Sequence, residues 1–264
     1  MSITTLDGYI AAAKQRKQWS KTSARTSVAA RWMSMFDVAG NPGAGTLNAG
    51  NTANGIVPTD AASGYPTITA FGGGATGYLS LVEFFNNVAC RAALFDRLFV
   101  AGAYAFNANT ALTSQPAYSG RLPGGDWNDC EIWVEQVTAA TGNQAVNVTY
   151  DNQAGTSKTT GALGIGAAPT VGSCWQLPLA AGDTGVQKIT NVAGTVATAG
   201  TFNVMVLRRL WQTGAMRTAN AGDTHDFIKT GLPQVFEDSA LYVLVAADST
   251  STGLPDLMFE IANG

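Results

Sequence analysis

A chain of 264 residues with 46% hydrophobic content is long enough to bury a core without disulfide or metal staples. Only 12% of the residues are charged, against about 25% in an average domain. The resulting neutral surface of Gly, Ala, Thr, Ser and Asn fits a secreted β-protein or permanent contact with other subunits, because neutral polar groups desolvate more cheaply than charges. No apolar stretch approaches the roughly 18 residues of a membrane span, and the first residues lack the basic start and apolar run of a secretory signal.

The elements follow in chain order. Thr4 and Thr5 precede Leu6, Tyr9, Ile10 and Ala13, which recur at helical spacing, and Asp7 follows Thr4 by three as in a capping box. This predicts a short N-terminal helix ending near Lys17. Its narrow apolar stripe must dock on something to persist. Lys14, Arg16, Lys17, Lys21, Arg25 and Arg31 face only Asp7 in the first 31 residues, a net +5 that leaves −8 for the remainder of a chain of net −3. A basic arm on an acidic body can pair with a neighbouring subunit, with nucleic acid or with its own body. The arm lacks the density of a polybasic tail, so subunit or self contact is expected and nucleic acid is not.

Residues 28–38 alternate (Trp32, Ser34, Phe36 against Met33, Met35) and predict a first strand. Residues 40–77 carry turn formers every few positions, among them Asn41-Pro42-Gly43, Asn54-Gly55 and Gly72-Gly73-Gly74. This reads as an extended loop, laid along its own sheet or draped over a neighbour. Residues 78–91 fit helix or strand, whereas residues 94–106 are extended. Cys130 to Val137 and Ala145 to Tyr150 alternate on either side of Thr141-Gly142-Asn143, which predicts a half-buried antiparallel hairpin. Further strands are predicted at residues 156–160, 175–179, 186–196, 201–210 and 240–247. Such spacing implies a mainly β protein: an antiparallel β-sandwich or jelly-roll-like body over residues 78–264, an N-terminal helix and arm over 1–39, and a Gly/Pro/Asn-rich loop over 40–77.

Few groups announce chemistry. Cys90, Cys130 and Cys174 are widely spaced and form no CxxC pair, so buried free thiols are expected rather than zinc or redox chemistry. His225 is the single histidine, flanked by Asp223 and Asp226, with no Gly-x-Ser-x-Gly or His-Glu-x-x-His motif to complete a catalytic set. Asp126, Asp129 and Glu131 crowd the entry to a strand and are the weak metal-ligand set of this chain, although their spacing matches no EF-hand. Six tryptophans, Trp19, Trp32, Trp127, Trp133, Trp175 and Trp211, serve as core or interface anchors or as sugar-stacking platforms.

Ser2-Ile-Thr-Thr-Leu-Asp-Gly8, Val57-Pro-Thr59, Tyr65-Pro66, Leu94-Phe-Asp-Arg-Leu98, the Val148 to Gly155 stretch and the Leu179 to Gln187 stretch together resemble virion structural proteins of tailed bacteriophages. The likeness is one of style spread over most of the chain. It implies an oligomeric β-sandwich, as trimers at local three-fold positions, that decorates or cements a capsid lattice. Its partners are then itself and the major capsid protein or other virion subunits. It implies a virion location after synthesis in the host cytoplasm, no cofactor and no catalytic residues. A tail, baseplate or head-fibre component shares the same style, and a glycan-binding module is the alternative class. On this reading the arm residues Lys14, Arg16, Lys17, Trp19, Lys21, Arg25, Arg31 and Trp32 clamp a neighbouring chain, and the body folds without them.

Overall fold

A computed structural model describes residues 3–166, 169–196 and 198–264. Ser2, with which the phage-like N-terminal stretch begins, lies outside the described residues. The chain runs α1 (Leu6–Ala11), β1 (Ala13–Lys21), β2 (Trp32–Ser34), β3 (Gly40–Asn41), β4 (Asn51–Ile56), β5 (Gly77–Asn86), β6 (Cys90–Ala105), β7 (Asn109–Ala111), β8 (Cys130–Thr138) and β9 (Gln144–Asn152). It continues through β10 (Ser157–Thr159), β11 (Leu163–Gly166), β12 (Ser173–Leu177), β13 (Val186–Gly194), β14 (Thr201–Gln212), β15 (Ala221–His225), α2 (Phe227–Thr230), β16 (Gln234–Val235), β17 (Leu241–Ala247) and β18 (Asp256–Asn263). All pairings between these strands are antiparallel.

At the centre β14, β8, β12, β2, β17 and β6 pair in that order, and β6 pairs again with β14, so the six strands close into a barrel. The long β6 makes closure possible: it pairs with β17 through Cys90 to Asp96 and with β14 through Ala93 to Ala105. Register shifts along the β6–β14 ladder, between Phe202/Val204, Val206/Leu207 and Arg209/Trp211, bend and twist the strands as a curved sheet requires.

Alternation, interrupted at the register shifts, divides the wall strands between two cores. Ile132 and Val134 of β8 point outward, while Trp133 points into the barrel; Phe202, Val204 and Val206 of β14 point outward opposite Met205 and Leu207. One outer sheet (β10, β9, β13 and β7, with β11 beside β9) covers the Ile132/Val134/Phe202 face through Val146, Val148, Tyr150 and Ile189. The other (β15, β5, β18, β1 and β3, with β16 beside β5) covers the Leu94/Val243/Val245 face through Val82, Phe84, Leu257, Phe259 and Trp19. The result is a sandwich-like, mainly β body whose middle layer is a closed barrel.

The barrel interior is not wholly apolar. Glu135, fully buried, accepts hydrogen bonds from Arg97 Nη2 (3.0 Å), Asn203 Nδ2 (3.0 Å) and Tyr242 Oη (2.6 Å). Arg97 also donates to Tyr65 Oη at 3.2 Å, and its guanidinium lies 4.9 Å from the Tyr242 ring and 5.4 Å from that of Phe36. Burial by itself lowers the Arg97 pKa; Tyr65, Glu135 and Tyr242 outweigh it, so the guanidinium stays charged. Burial, reinforced by Glu135, holds the Tyr242 phenol well above its ordinary pKa. Gly102, at φ +152, passes so close to Asn203 that a Cβ would collide with its side chain.

Several sequence expectations need correction. The helix stops at Ala11, not near Lys17, and residues 13–21 form β1 instead. Lys, Gln and Arg favour helix only weakly, and pairing of Ala13 to Ser20 with β18 overrides that preference. Residues 130–150 are not a hairpin: β8 belongs to the barrel and β9 to an outer sheet, so the turn carries the chain between layers. Nor is β8 half-buried, since both its faces meet a core. Strand structure in residues 28–38 is confined to Trp32–Ser34. The 40–77 excursion is laid along its own body, with Leu47, Tyr65, Ile68 and Phe71 buried there. Residues 1–31 include β1, which pairs with β18 along Ala13 to Ser20 and carries the buried Trp19, so their removal strips a strand from the outer sheet and does not spare the body. The three cysteines are free and buried, with thiol pKa values raised by burial.

Removing one partner of a buried ion pair leaves an uncompensated charge, which costs about 3–5 kcal/mol. Glu135→Ala is therefore expected to destabilise the protein by that amount in urea unfolding. The double variant R97M/E135M, which removes both charges, should lose much less; equal losses would show that the pairing is not what matters.

Candidate interaction surface

Most of the basic segment is engaged by its own chain. Lys14 Nζ caps the end of α1 through the carbonyls of Tyr9 (2.8 Å), Ala12 (3.1 Å) and Ile10 (3.3 Å), where a cation meets the negative end of the helix. Arg16 pairs with Glu260 at 3.1 Å, and Lys17 donates to Thr69 Oγ1 at 3.2 Å. Trp19 lies in the outer-sheet core, and Arg25 pairs with Asp37. Lys21 is buried, with Nζ donating to Val38 O (3.0 Å) and Pro42 O (3.1 Å). Self contact, one of the pairings open to the arm, is what the structure builds here.

Arg31 and Trp32 differ. They border a groove of about 370 Å³ lined by Val28 to Trp32, Leu163, Cys174, Trp175 and Gln176. Strand pairing assembles it: β12 lies against β2 with Cys174 opposite Trp32, which sets Trp175 next to the turn that ends at Arg31. Trp32 is anchored edge-on to Trp133 in the barrel core (6.2 Å), and Trp175 packs at the margin of the core under the opposite outer sheet. Both remain half-buried, and Val28 is exposed. The Arg31 guanidinium stands 5.2 Å from the Trp175 ring, with no carboxylate partner among the described residues. Burial alone lowers its pKa. A partly desolvated cation over one tryptophan ring, in a groove that a second tryptophan also lines, is a site suited to a carboxylate beside an apolar side chain.

The other residues singled out in the sequence do not converge. Glu131 binds Arg209 through two 3.0 Å contacts and accepts from Trp133 Nε1 at 2.7 Å. Asp126 Oδ1 accepts from the Asn128 backbone (3.0 Å) and side chain (2.6 Å), while Asp129 and Glu131 line an open polar groove of about 600 Å³. Among the described residues no three His, Cys, Asp or Glu side chains are grouped to hold a metal ion. His225 Nε2 lies 2.9 Å from Asp223 Oδ2 and its ring stands edge-on to Trp211; Asp226 caps α2 instead of facing the histidine. The sequence singles out Trp175 as one of six possible anchor or stacking tryptophans, but not its partnership with Arg31, which spans 144 positions of chain.

The antiparallel barrel with two covering sheets defines a mainly β protein, and its most distinctive surface feature is a tryptophan-lined groove. No family model matches the chain, and no curated protein matches it significantly. Solved structures that match include that of the infectious bursal disease virus Gx strain, at 9% identity over 95% of this chain and 80% of that chain, with a TM-score of 0.19. The infectious bursal disease virus VP2 subviral particle matches at 9% identity over 96% of this chain and 80% of that chain, with a TM-score of 0.17. These viral particle structures share too little geometry with this chain to carry an argument about its role.

Burial lowers the Lys21 pKa to about 8, with Asp37 pulling it back up. The unfolded lysine, at about 10.4, binds more protons than the folded one between those values. Stability contributed by this group therefore rises with pH from about 8 to about 10.4, by at most about 3 kcal/mol. The buried thiols and phenols work in the opposite direction, so the measurement is a difference. The Tm of the wild type relative to Lys21→Met should increase as pH rises from about 8 to about 10; a pH-independent difference would contradict the buried cation.

Proposed function

We propose that this chain is a non-enzymatic virion structural protein that binds a phage capsid lattice and stabilises it, with the Arg31/Trp32/Trp175 groove as its lattice contact. The sequence likeness to tailed-phage virion proteins supports the class. The observation that carries the groove's role is the unneutralised Arg31 cation held over a half-buried tryptophan. Trp and Arg dominate the energetics of protein interfaces, and a rigid scaffold lowers the entropy lost on docking. A barrel with covered walls supplies that rigidity, and the neutral surface around the groove desolvates cheaply. The occupant we assign is a segment of the major capsid protein in which a carboxylate adjoins an apolar side chain: the carboxylate meets Arg31 and the apolar group meets Trp32, Trp175 and Val28. Tail, baseplate or head-fibre placement would use the same groove on a different lattice.

Co-sedimentation with emptied phage shells tests this. Arg31→Glu is expected to reduce shell binding at least tenfold with an unchanged Tm, and Trp175→Leu to reduce it comparably. Undiminished binding by R31E would remove the groove from the interface, and a wild-type protein that ignores shells would remove the cementing role. The same two tryptophans favour glycan binding as the second reading. In that case saturable quenching of tryptophan fluorescence by sugars appears in place of shell binding.

A further inference from the structure

The barrel has no free edges at its closed wall, but the outer sheet β15-β5-β18-β1-β3 has two. At one margin β1 pairs with β18 along Ala13 to Ser20, whereas β3 meets it only at Ser20 and Lys21. The other side of Ala13 to Trp19 thus has no strand partner among the described residues. A cleft of about 450 Å³ beside this edge is lined by Arg16 to Gln18, Asn41, Pro42 and Tyr65 to Thr67, while side chains of the edge hold Thr69: its backbone N–H and carbonyl pair with the Gln15 amide (2.8 Å each) and its hydroxyl accepts from Lys17. At the opposite margin β15 pairs, among the described residues, only with β5, leaving the outer side of Ala221 to His225 without a strand partner there.

The two margins differ in charge. Lys14, Arg16 and Lys17 lie on the β1 edge, and among the described residues neither Lys14 nor Lys17 has a carboxylate partner. The β15 margin carries Asp223 and Asp226, with Glu83 on the adjoining strand opposite Thr224 and Lys229 as the nearby cation. Pairing β1 with a second β1 about a two-fold axis would bring like charges together, and so would pairing β15 with β15. Pairing β15 of one copy with β1 of the next joins opposite charges and continues the sheet across the contact.

We propose that the occupant of the β1 edge is a second copy of this chain, its β15 strand adding beside Ala13 to Trp19 in a head-to-tail contact. A contact between two different surfaces repeats from copy to copy and gives a ring where its rotation closes and an open filament where it does not, never a two-fold dimer; a closed ring is the product we assign. This deepens the reading of the chain as an oligomeric virion protein by naming the surfaces that make the oligomer. The basic segment is then the receiving edge of the contact and does not reach out to a neighbour.

Complementary charge variants test the contact. Lys14→Glu with Lys17→Glu makes both edges acidic, and Glu83→Lys with Thr224→Lys makes both basic. By light scattering the wild type is expected to have a multiple of the single-chain mass, each double variant the single-chain mass, and an equimolar mixture of the two a higher mass again. Circular dichroism confirms that each variant is folded. If a variant fails to fold, hydrogen exchange in the wild type decides: Ala13 to Trp19 amides gain protection as concentration rises. A monomeric wild type, variants that keep the wild-type mass, or edge amides indifferent to concentration would overturn the proposal. R31E alters neither edge, so an intact ring that loses only its shells separates failure of the lattice contact from failure of this one.

Discussion

Pairing of β6 with β14 is the constraint on which the rest of the structure depends. That ladder closes the barrel and places Arg97 and Glu135 inside it, where each needs the other and both need Tyr65, Asn203 and Tyr242. A buried pair of this kind is weak evidence of stability, because desolvation offsets much of the attraction. It nevertheless penalises alternative arrangements, since a shifted register would leave a charge buried without a partner. Such specificity is useful in a barrel whose other interior residues, such as Phe95, Met205 and Leu244, offer only non-directional contacts.

Closure also governs where the molecule can interact. With its walls covered on two sides, the barrel is a rigid core, and open strand edges are left to the outer sheets and to β4, which lies beside β6. The tryptophan groove forms where β2 and β12, both short, leave part of the wall uncovered. Two separate surfaces follow: a side-chain groove of aromatic and cationic character, and strand edges of opposite charge bias. In our reading the groove engages the lattice and the edges engage other copies, so one rigid body supports both contacts without moving parts.

Charge segregation along the chain takes on a different meaning once the fold is known. The surplus of cations in the first 31 residues suggests a free clamp, yet Arg16, Lys21 and Arg25 meet Glu260, backbone carbonyls and Asp37 of the same chain. Glu260 is 244 residues from Arg16. No local pattern discloses that the last strand returns beside the first, so the acidic counterpart of the basic segment was not legible.

The sequence by itself determined the β class, the approximate positions of β6, β13, β14 and β17, and which residues share a face. Period-two alternation is a local property that survives any arrangement of sheets: Ile132 and Val134 oppose Trp133 and Glu135 whatever lies on either side. It also disclosed that the cysteines form no paired motif and that the chain is rich in tryptophan. Only the tertiary structure decided which strands pair, because that depends on contacts between distant residues whose loop-closure cost no local pattern encodes. It separated β8 from β9, made residues 13–21 a strand against a modest helical preference, and buried both faces of β8. It also brought Arg31 to Trp175. Arg31, Trp32 and Trp175 were therefore each legible as residues of interest, and that they form one groove became visible only when β12 was placed beside β2.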